Sequence, residues 1–295
     1  MTDPSSESQS GADGDAPKPK KMGGTALRFA SAIPLIALVL YVLFLAPKWA
    51  FSVFGLVWLA IVSWELMAMT APGSSVTRGW GILATLGFAS ILLFVSGTPQ
   101  FPLALLTGLF GLAAGALVVG LIAPEPIDEA KTRVGWLLGG PIYVAGTLTT
   151  IVLLHRETGE HGGLWVVLCM FYAFLSDTGA YFAGRAFGRH KLSPKLSPKK
   201  TIEGSIGGIL AATGGGVILQ QTALYDVFPL THAIALGVAA TALGQAGDLF
   251  ESLLKRSCGV KDSGNIMPGH GGLLDRSDAL MFTGATTYFY VSWFQ

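Results

Sequence analysis

Residues 247–278 read GDLFESLLKRSCGVKDSGNIMPGHGGLLDRSD and concentrate side chains that can do chemistry. If a helix continues past residue 249, Asp248, Glu251, Ser252 and Lys255 fall at i, i+3, i+4 and i+7 and share one face. Arg256, Lys261-Asp262, His270-Gly271-Gly272, Asp275-Arg276 and Asp278 follow within a turn-rich stretch. Several carboxylates suit a hard cation, several bases suit phosphates, and the glycines allow close backbone approach. A magnesium ion takes one or two protein carboxylates and fills its remaining positions with water and substrate phosphates. The pattern therefore points to phosphoryl or nucleotidyl transfer rather than to peptide or ester hydrolysis.

A second polar stretch, residues 176–208, packs Arg185, Arg189, Lys191, Lys195, Lys199 and Lys200 into sixteen positions. A duplicated Leu-Ser-Pro-Lys (Leu192–Lys195 and Leu196–Lys199) predicts two Ser-Pro turns that hold the lysines on ordered chain. Asp177 and Glu203 bracket the basic run. Gly204, Gly207 and Gly208 are expected to expose backbone N–H groups to phosphate where the next helix opens. The plainer alternative is a basic loop that only meets anionic lipid headgroups.

Other chemistries are excluded. Gly264 to Gly269 has the spacing of a phosphate-binding loop, but His270 stands where such a loop needs lysine. Cys169 and Cys258 form no C-x-x-C pair and match no zinc spacing. His155 and His161 flank a short loop and are expected to be solvated. For His270, an orienting role and direct catalysis stand equally open.

The elements that must position these residues belong to a membrane protein. Over the 295 residues, 51% are hydrophobic and 13% charged, about half the charge of a soluble domain. The mean hydropathy is +0.57. The predicted fold class is all-α, a polytopic integral membrane bundle of about nine transmembrane helices, at roughly 26–46, 50–70, 79–97, 101–123, 134–154, 163–184, 204–220, 231–249 and 278–294. Residues 1–24 are expected to form a disordered cytoplasmic tail, 25–160 the N-terminal helices, and 161–295 a C-terminal catalytic region with two cytoplasmic polar loops. With the N-terminus inside, 17 of the 19 Lys and Arg residues fall on the cytoplasmic face and only Lys48 and Arg156 outside. Glu65, Asp177, Asp248 and Glu251 lie in or at the edge of apolar spans, where a carboxylate needs a partner or a task. Glu65 is expected to snorkel or to pair within the bundle. Gly111/Gly115 and Gly204/Gly208 have the spacing that lets membrane helices approach closely.

The stretch 247–278 resembles the signature of the phosphatidate cytidylyltransferases (CDP-diglyceride synthases). The matching residues are Ser252, Lys255-Arg256, Lys261-Asp262, His270-Gly271-Gly272, Asp275-Arg276 and Asp278, in register. The stretch 176–208 is similar too, through Asp177-Thr178-Gly179-Ala180-Tyr181-Phe182, Ser197-Pro198-Lys199-Lys200-Thr201 and Glu203-Gly204. The likeness is tight over about 173–280. Met267 and Ser277 depart from it mildly, and neither departure is expected to bear on the chemistry.

The resemblance implies a reaction in which CTP and phosphatidic acid give CDP-diacylglycerol and pyrophosphate with Mg²⁺, one or two cations being held by Asp248 and Asp275. It implies that Lys199, Lys200, Lys255, Arg256, Lys261 and Arg276 clamp phosphates, with Asp262 among the catalytic group. Ser252, His270, Asp177, Glu203 and Asp278 then contact substrate or orient the bases. The expected partners are CTP, phosphatidic acid and the bilayer of the cell's inner (plasma) membrane. No nucleic acid is expected, and a homodimer is left open. The nearest competitor is a CTP-dependent enzyme acting on an isoprenoid or archaeal-type lipid phosphate. A transporter would show paired broken helices in internal repeats, and the sequence has no second copy of either polar stretch.

Overall fold

The computed structural model describes residues 24–72, 74–267 and 271–294, with side chains from residue 32 onward. The tail expected over residues 1–24 lies almost wholly outside them. Nine α-helices run among the described residues: α1 (Gly24–Phe44), α2 (Lys48–Thr70), α3 (Ser75–Phe94), α4 (Phe101–Ile122), α5 (Ala130–Glu157), α6 (Gly162–Phe187), α7 (Ile202–Ala223), α8 (Leu230–Ser257) and α9 (Asp278–Phe294). Two short strands, β1 (Lys191–Ser193) and β2 (Ser197–Thr201), form an antiparallel hairpin between α6 and α7. Seven of the helices are long and apolar enough to cross a membrane. At 1.5 Å per residue the 22-residue α4 is about 33 Å long, enough for a hydrocarbon core of roughly 30 Å. In such a core the backbone must satisfy its own polar groups, which is why these apolar runs become helices.

The helices form one interlocked bundle. Central α5 packs against α2, α3, α4, α6 and α9, and α8 lies between α7 and α9. Leu59, Leu66, Leu137 and Val144 fill the core around α2 and α5, and Trp165, Tyr172, Phe228 and Leu236 fill a second one around α6 and α8. At the end of the bundle away from the hairpin, Lys48 donates to the Gly159 carbonyl at 3.1 Å, and Arg156 donates to the Leu93 carbonyl. The two bases expected on the outer face thus share one end.

Three sequence expectations change here. His155 is buried rather than solvated: its Nε2 lies 3.2 Å from the Leu43 carbonyl and its ring 4.4 Å from that of Phe51. The helix extends one turn further than the loop expectation allowed, so the imidazole faces α1 and α2. The two Ser-Pro pairs are not equivalent either. Ser193-Pro194 leads into the reversal, whereas Ser197-Pro198 opens β2, where a proline is tolerated because a two-stranded ribbon is all edge. Finally, Gly204, Gly207 and Gly208 lie inside α7, which begins at Ile202 with Thr201 as its N-cap. The Gly204 N–H is taken by the Thr201 hydroxyl at 3.1 Å, so it is not free for phosphate. The glycines let α7 close on α6: a Cβ at Gly208 would stand 2.7 Å from the Ser176 carbonyl oxygen and 2.9 Å from the Gln245 amide nitrogen.

Candidate active site

Close packing of α6 and α7 fixes the floor of a polar chamber of about 510 Å³. Its walls are Asp177, Tyr181 and Arg185 from α6, Lys199 and Lys200 from the hairpin, Ser205 from α7, and Gln245 and Asp248 from α8. Gln245 ties three helices together. Its amide nitrogen donates to the Ser176 hydroxyl at 3.0 Å and to the Ser205 carbonyl at 3.1 Å, while its oxygen accepts from the Ser205 hydroxyl. The Lys200 ammonium pairs with Asp248 Oδ2, which pins the hairpin to α8. The two polar stretches of the sequence therefore meet, as the topology required. Lys199 is exposed and opens into the chamber. The Arg185 guanidinium donates to the Tyr181 hydroxyl at 3.2 Å.

Helix α8 runs unbroken to Ser257, so Asp248, Glu251, Ser252 and Lys255 do share one face. Lys255 joins this face to the following loop, lying 3.3 Å from Glu251 and 2.6 Å from Asp275 Oδ1. The other Asp275 oxygen accepts the N–H groups of Ser263 and Gly272, both at 2.9 Å. Burial alone would raise the Asp275 carboxyl, but the Lys255 ammonium and those N–H groups outweigh it. It is held below the ordinary carboxylate range and is ionised at neutral pH.

The loop is also held from below by α2. Glu65, 2% exposed, accepts the Leu274 N–H at 2.7 Å, one residue before Asp275. Two turns earlier on the same helix face, the Trp58 indole N–H donates to the Ser277 hydroxyl at 2.8 Å, which in turn donates to the Leu273 carbonyl at 2.8 Å. Buried this deeply, Glu65 does not snorkel. It anchors the short 3₁₀ turn Leu274–Arg276 that carries Asp275 and Arg276. Ser277, read from sequence as neutral to the chemistry, is half of this clamp. Gln245, Ser176 and Ser205 were missed, although polar residues set among apolar ones on the inner faces of α6, α7 and α8 were an available signal; Trp58 of α2 was missed as well.

The remaining candidates are spread around this centre. Glu203 accepts from the backbone N–H groups of Arg189 and His190 and meets the His190 ring at 2.6 Å, so it braces the base of the hairpin. Arg256, Lys261 and Asp262 are exposed, and Ser252 is half-buried. Asp278 opens α9, close enough to Asp248, Asp177 and Glu251 for their charges to interact, and Arg276 acts on Asp177. His270 lies outside the described residues.

Among the described residues, no three His, Cys, Asp or Glu side chains converge at ligand distance. A cation held by one or two carboxylates and completed by substrate oxygens needs no such trio. Five carboxylates, Asp177, Asp248, Glu251, Asp275 and Asp278, gather at this end of the bundle, with Lys200, Lys255 and Arg276 among their neighbouring bases. Glu251 is fully buried and meets Lys255 through one carboxylate oxygen at 3.3 Å. This excess of carboxylate fits a divalent cation.

The chain spans about half to three-fifths of the length of the curated relatives it matches. It is 37% identical to the phosphatidate cytidylyltransferase of Bacillus subtilis over 162 residues, which is 55% of this chain and 60% of that protein. It is 44% identical to the enzyme of the same name from Haemophilus influenzae over 151 residues, 50% of this chain and 51% of the relative. For the Staphylococcus aureus (strain COL) protein of that name the figure is 47% over 129 residues, 43% and 48% of the two chains. The family model described as "Cytidylyltransferase family" matches residues 26–294, nearly the whole chain and every part of the site. A membrane helical bundle with this signature in register across its hairpin, α8 and the Asp275 turn belongs to the cytidylyltransferase family.

Proposed function

We propose that this protein transfers CMP from CTP to phosphatidic acid, giving CDP-diacylglycerol and pyrophosphate. The observation that carries the proposal is the junction of Lys200 with Asp248, which sets phosphate-binding bases against carboxylates at one end of a membrane bundle. The phosphate monoester of phosphatidic acid is already anionic at neutral pH, so its oxygen can attack the α-phosphorus of CTP without a strong general base. The difficulty is to bring two polyanions together, and the protein's part is positioning and charge neutralisation. Lys199 and Lys200 line the chamber and serve the nucleotide phosphates, while Arg276 serves the lipid phosphate. Lys255 holds Asp275 in place and keeps a positive charge beside the reacting groups. Asp248 and Asp275 would hold Mg²⁺, which would supply positive charge to offset that of the phosphates.

Purified protein in detergent, given radiolabelled CTP, phosphatidic acid and Mg²⁺, is expected to form a CDP-lipid that is absent without the cation. Product from an isoprenoid phosphate but from no phosphatidic acid species would overturn the substrate assignment.

The basic residues favour an N-terminus, hairpin and α8–α9 loop on the cytoplasmic side. A cysteine placed at the hairpin tip by Lys195→Cys is expected to react with an impermeant maleimide only in inside-out vesicles. Labelling in intact cells would reverse the orientation.

A further inference from the structure

We propose that the apolar slot between α1, α2, α5 and α6 takes one hydrocarbon chain of the lipid phosphate, placing its headgroup at Arg276. This rests on the phosphatidate reading and adds where the lipid lies. The slot has a volume of about 330 Å³, at the small end for a ligand pocket. Phe54, Trp58, Val152, Met170 and Phe174 line it, together with Met267 and Arg276. Among the described residues that line it, Arg276 is the one charged side chain.

The slot and the polar chamber lie along one helix face. Met170 and Phe174 line the slot, and Asp177 and Tyr181 line the chamber. Positions 170, 174, 177 and 181 recur at i, i+4, i+7 and i+11, which is a single stripe down α6. Arg276 stands where the stripe changes character, lining the slot while its charge acts on Asp177. An amphiphile laid along this stripe would have its anionic head at a guanidinium, its reacting oxygen toward the chamber, and its chain among Phe54, Met170 and Phe174. A neutral lipid would gain nothing from Arg276, and a soluble phosphate nothing from the slot.

A chain entering from the bilayer leaves one apolar medium for another, so the slot selects by fit rather than by hydrophobic transfer. Chain-length dependence is then the signature. Met170→Trp narrows the slot and Phe54→Ala widens it. The measured quantity is the ratio of kcat/KM for dipalmitoyl over dihexanoyl phosphatidic acid. Met170→Trp is expected to lower this ratio about tenfold, the effect of overpacking a filled site. Phe54→Ala is expected to raise the corresponding ratio taken with distearoyl in place of dipalmitoyl phosphatidic acid. Unchanged ratios in both active variants would overturn the proposal.

A second measurement needs neither turnover nor variants. Phosphatidic acid with a mid-chain diazirine, in nanodiscs of the unmodified protein, is expected to label Met170 or Phe174 above Phe110, a membrane-facing residue of α4 that is 74% exposed. Equal labelling of the two places, or equal slot labelling by a diazirine phosphatidylcholine, would show bulk lipid there and sink the slot. If the unmodified protein makes no CDP-lipid, the activity reading fails while this labelling still decides the slot.

Discussion

Asp248→Asn and Asp275→Asn are each expected to lower CDP-lipid formation by roughly 10²–10³-fold or more, the scale of losing one preorganised electrostatic group. The two should differ in stability. Asp248 has one charged partner in the hairpin, Lys200, and that pair is a third exposed on the lysine side. Removing its charge frees the hairpin but leaves the helices packed, so the melting temperature in detergent should change little. Asp275 holds three partners: the Lys255 ammonium and the N–H groups of Ser263 and Gly272. An asparagine there leaves Lys255 with Glu251 alone, so this variant should also melt earlier. Wild-type turnover in either variant would remove that residue from the catalytic assignment. Equal melting of the two would contradict the distinction drawn between them.

The second large effect is expected at Glu65, more than 200 positions from the turn it holds. Glu65→Ala leaves the buried Leu274 N–H without an acceptor. Such an orphan costs about 1–3 kcal/mol, and the lost side chain adds a void. Activity should fall together with stability, because the turn carrying Asp275 and Arg276 loses its anchor. Glu65→Gln keeps a carbonyl oxygen for Leu274 and should recover most of the melting temperature. A Glu65→Ala protein with unchanged melting and unchanged kcat would show that the turn holds itself.

The sequence made some of this plain and hid the rest for definite reasons. The course of α8 was legible because Asp248, Glu251, Ser252 and Lys255 repeat at helical spacing, a signal internal to one element. The meeting of the two polar stretches was legible from span parity alone. By contrast, Gly204, Gly207 and Gly208 suit a phosphate nest and a close helix contact equally well. What decided between them was Thr201 capping a helix that starts one residue later and takes the Gly204 N–H. The Glu65 partner was hidden because it is a backbone N–H, which no side-chain pattern encodes. His155 was misplaced for a related reason: its acceptor is the Leu43 carbonyl at the far end of α1.

The α2 clamp also limits which substitutions can accumulate together. A methyl group at Gly272 would stand 2.8 Å from Glu65 Oε2, and one at Gly264 would press on the same carboxylate. Glutamate at 65 and glycine at 264 and 272 therefore behave as one inherited block, although nearly two hundred residues of chain separate the first from the second. A larger residue at Gly264 becomes tolerable only after position 65 shrinks, one at Gly272 would also meet Ser263 Oγ and the Gly264 backbone nitrogen, and a smaller residue at 65 strands Leu274. Single-step exchange is closed in both directions, so homologous chains that differ at one of the three positions are expected to differ at another.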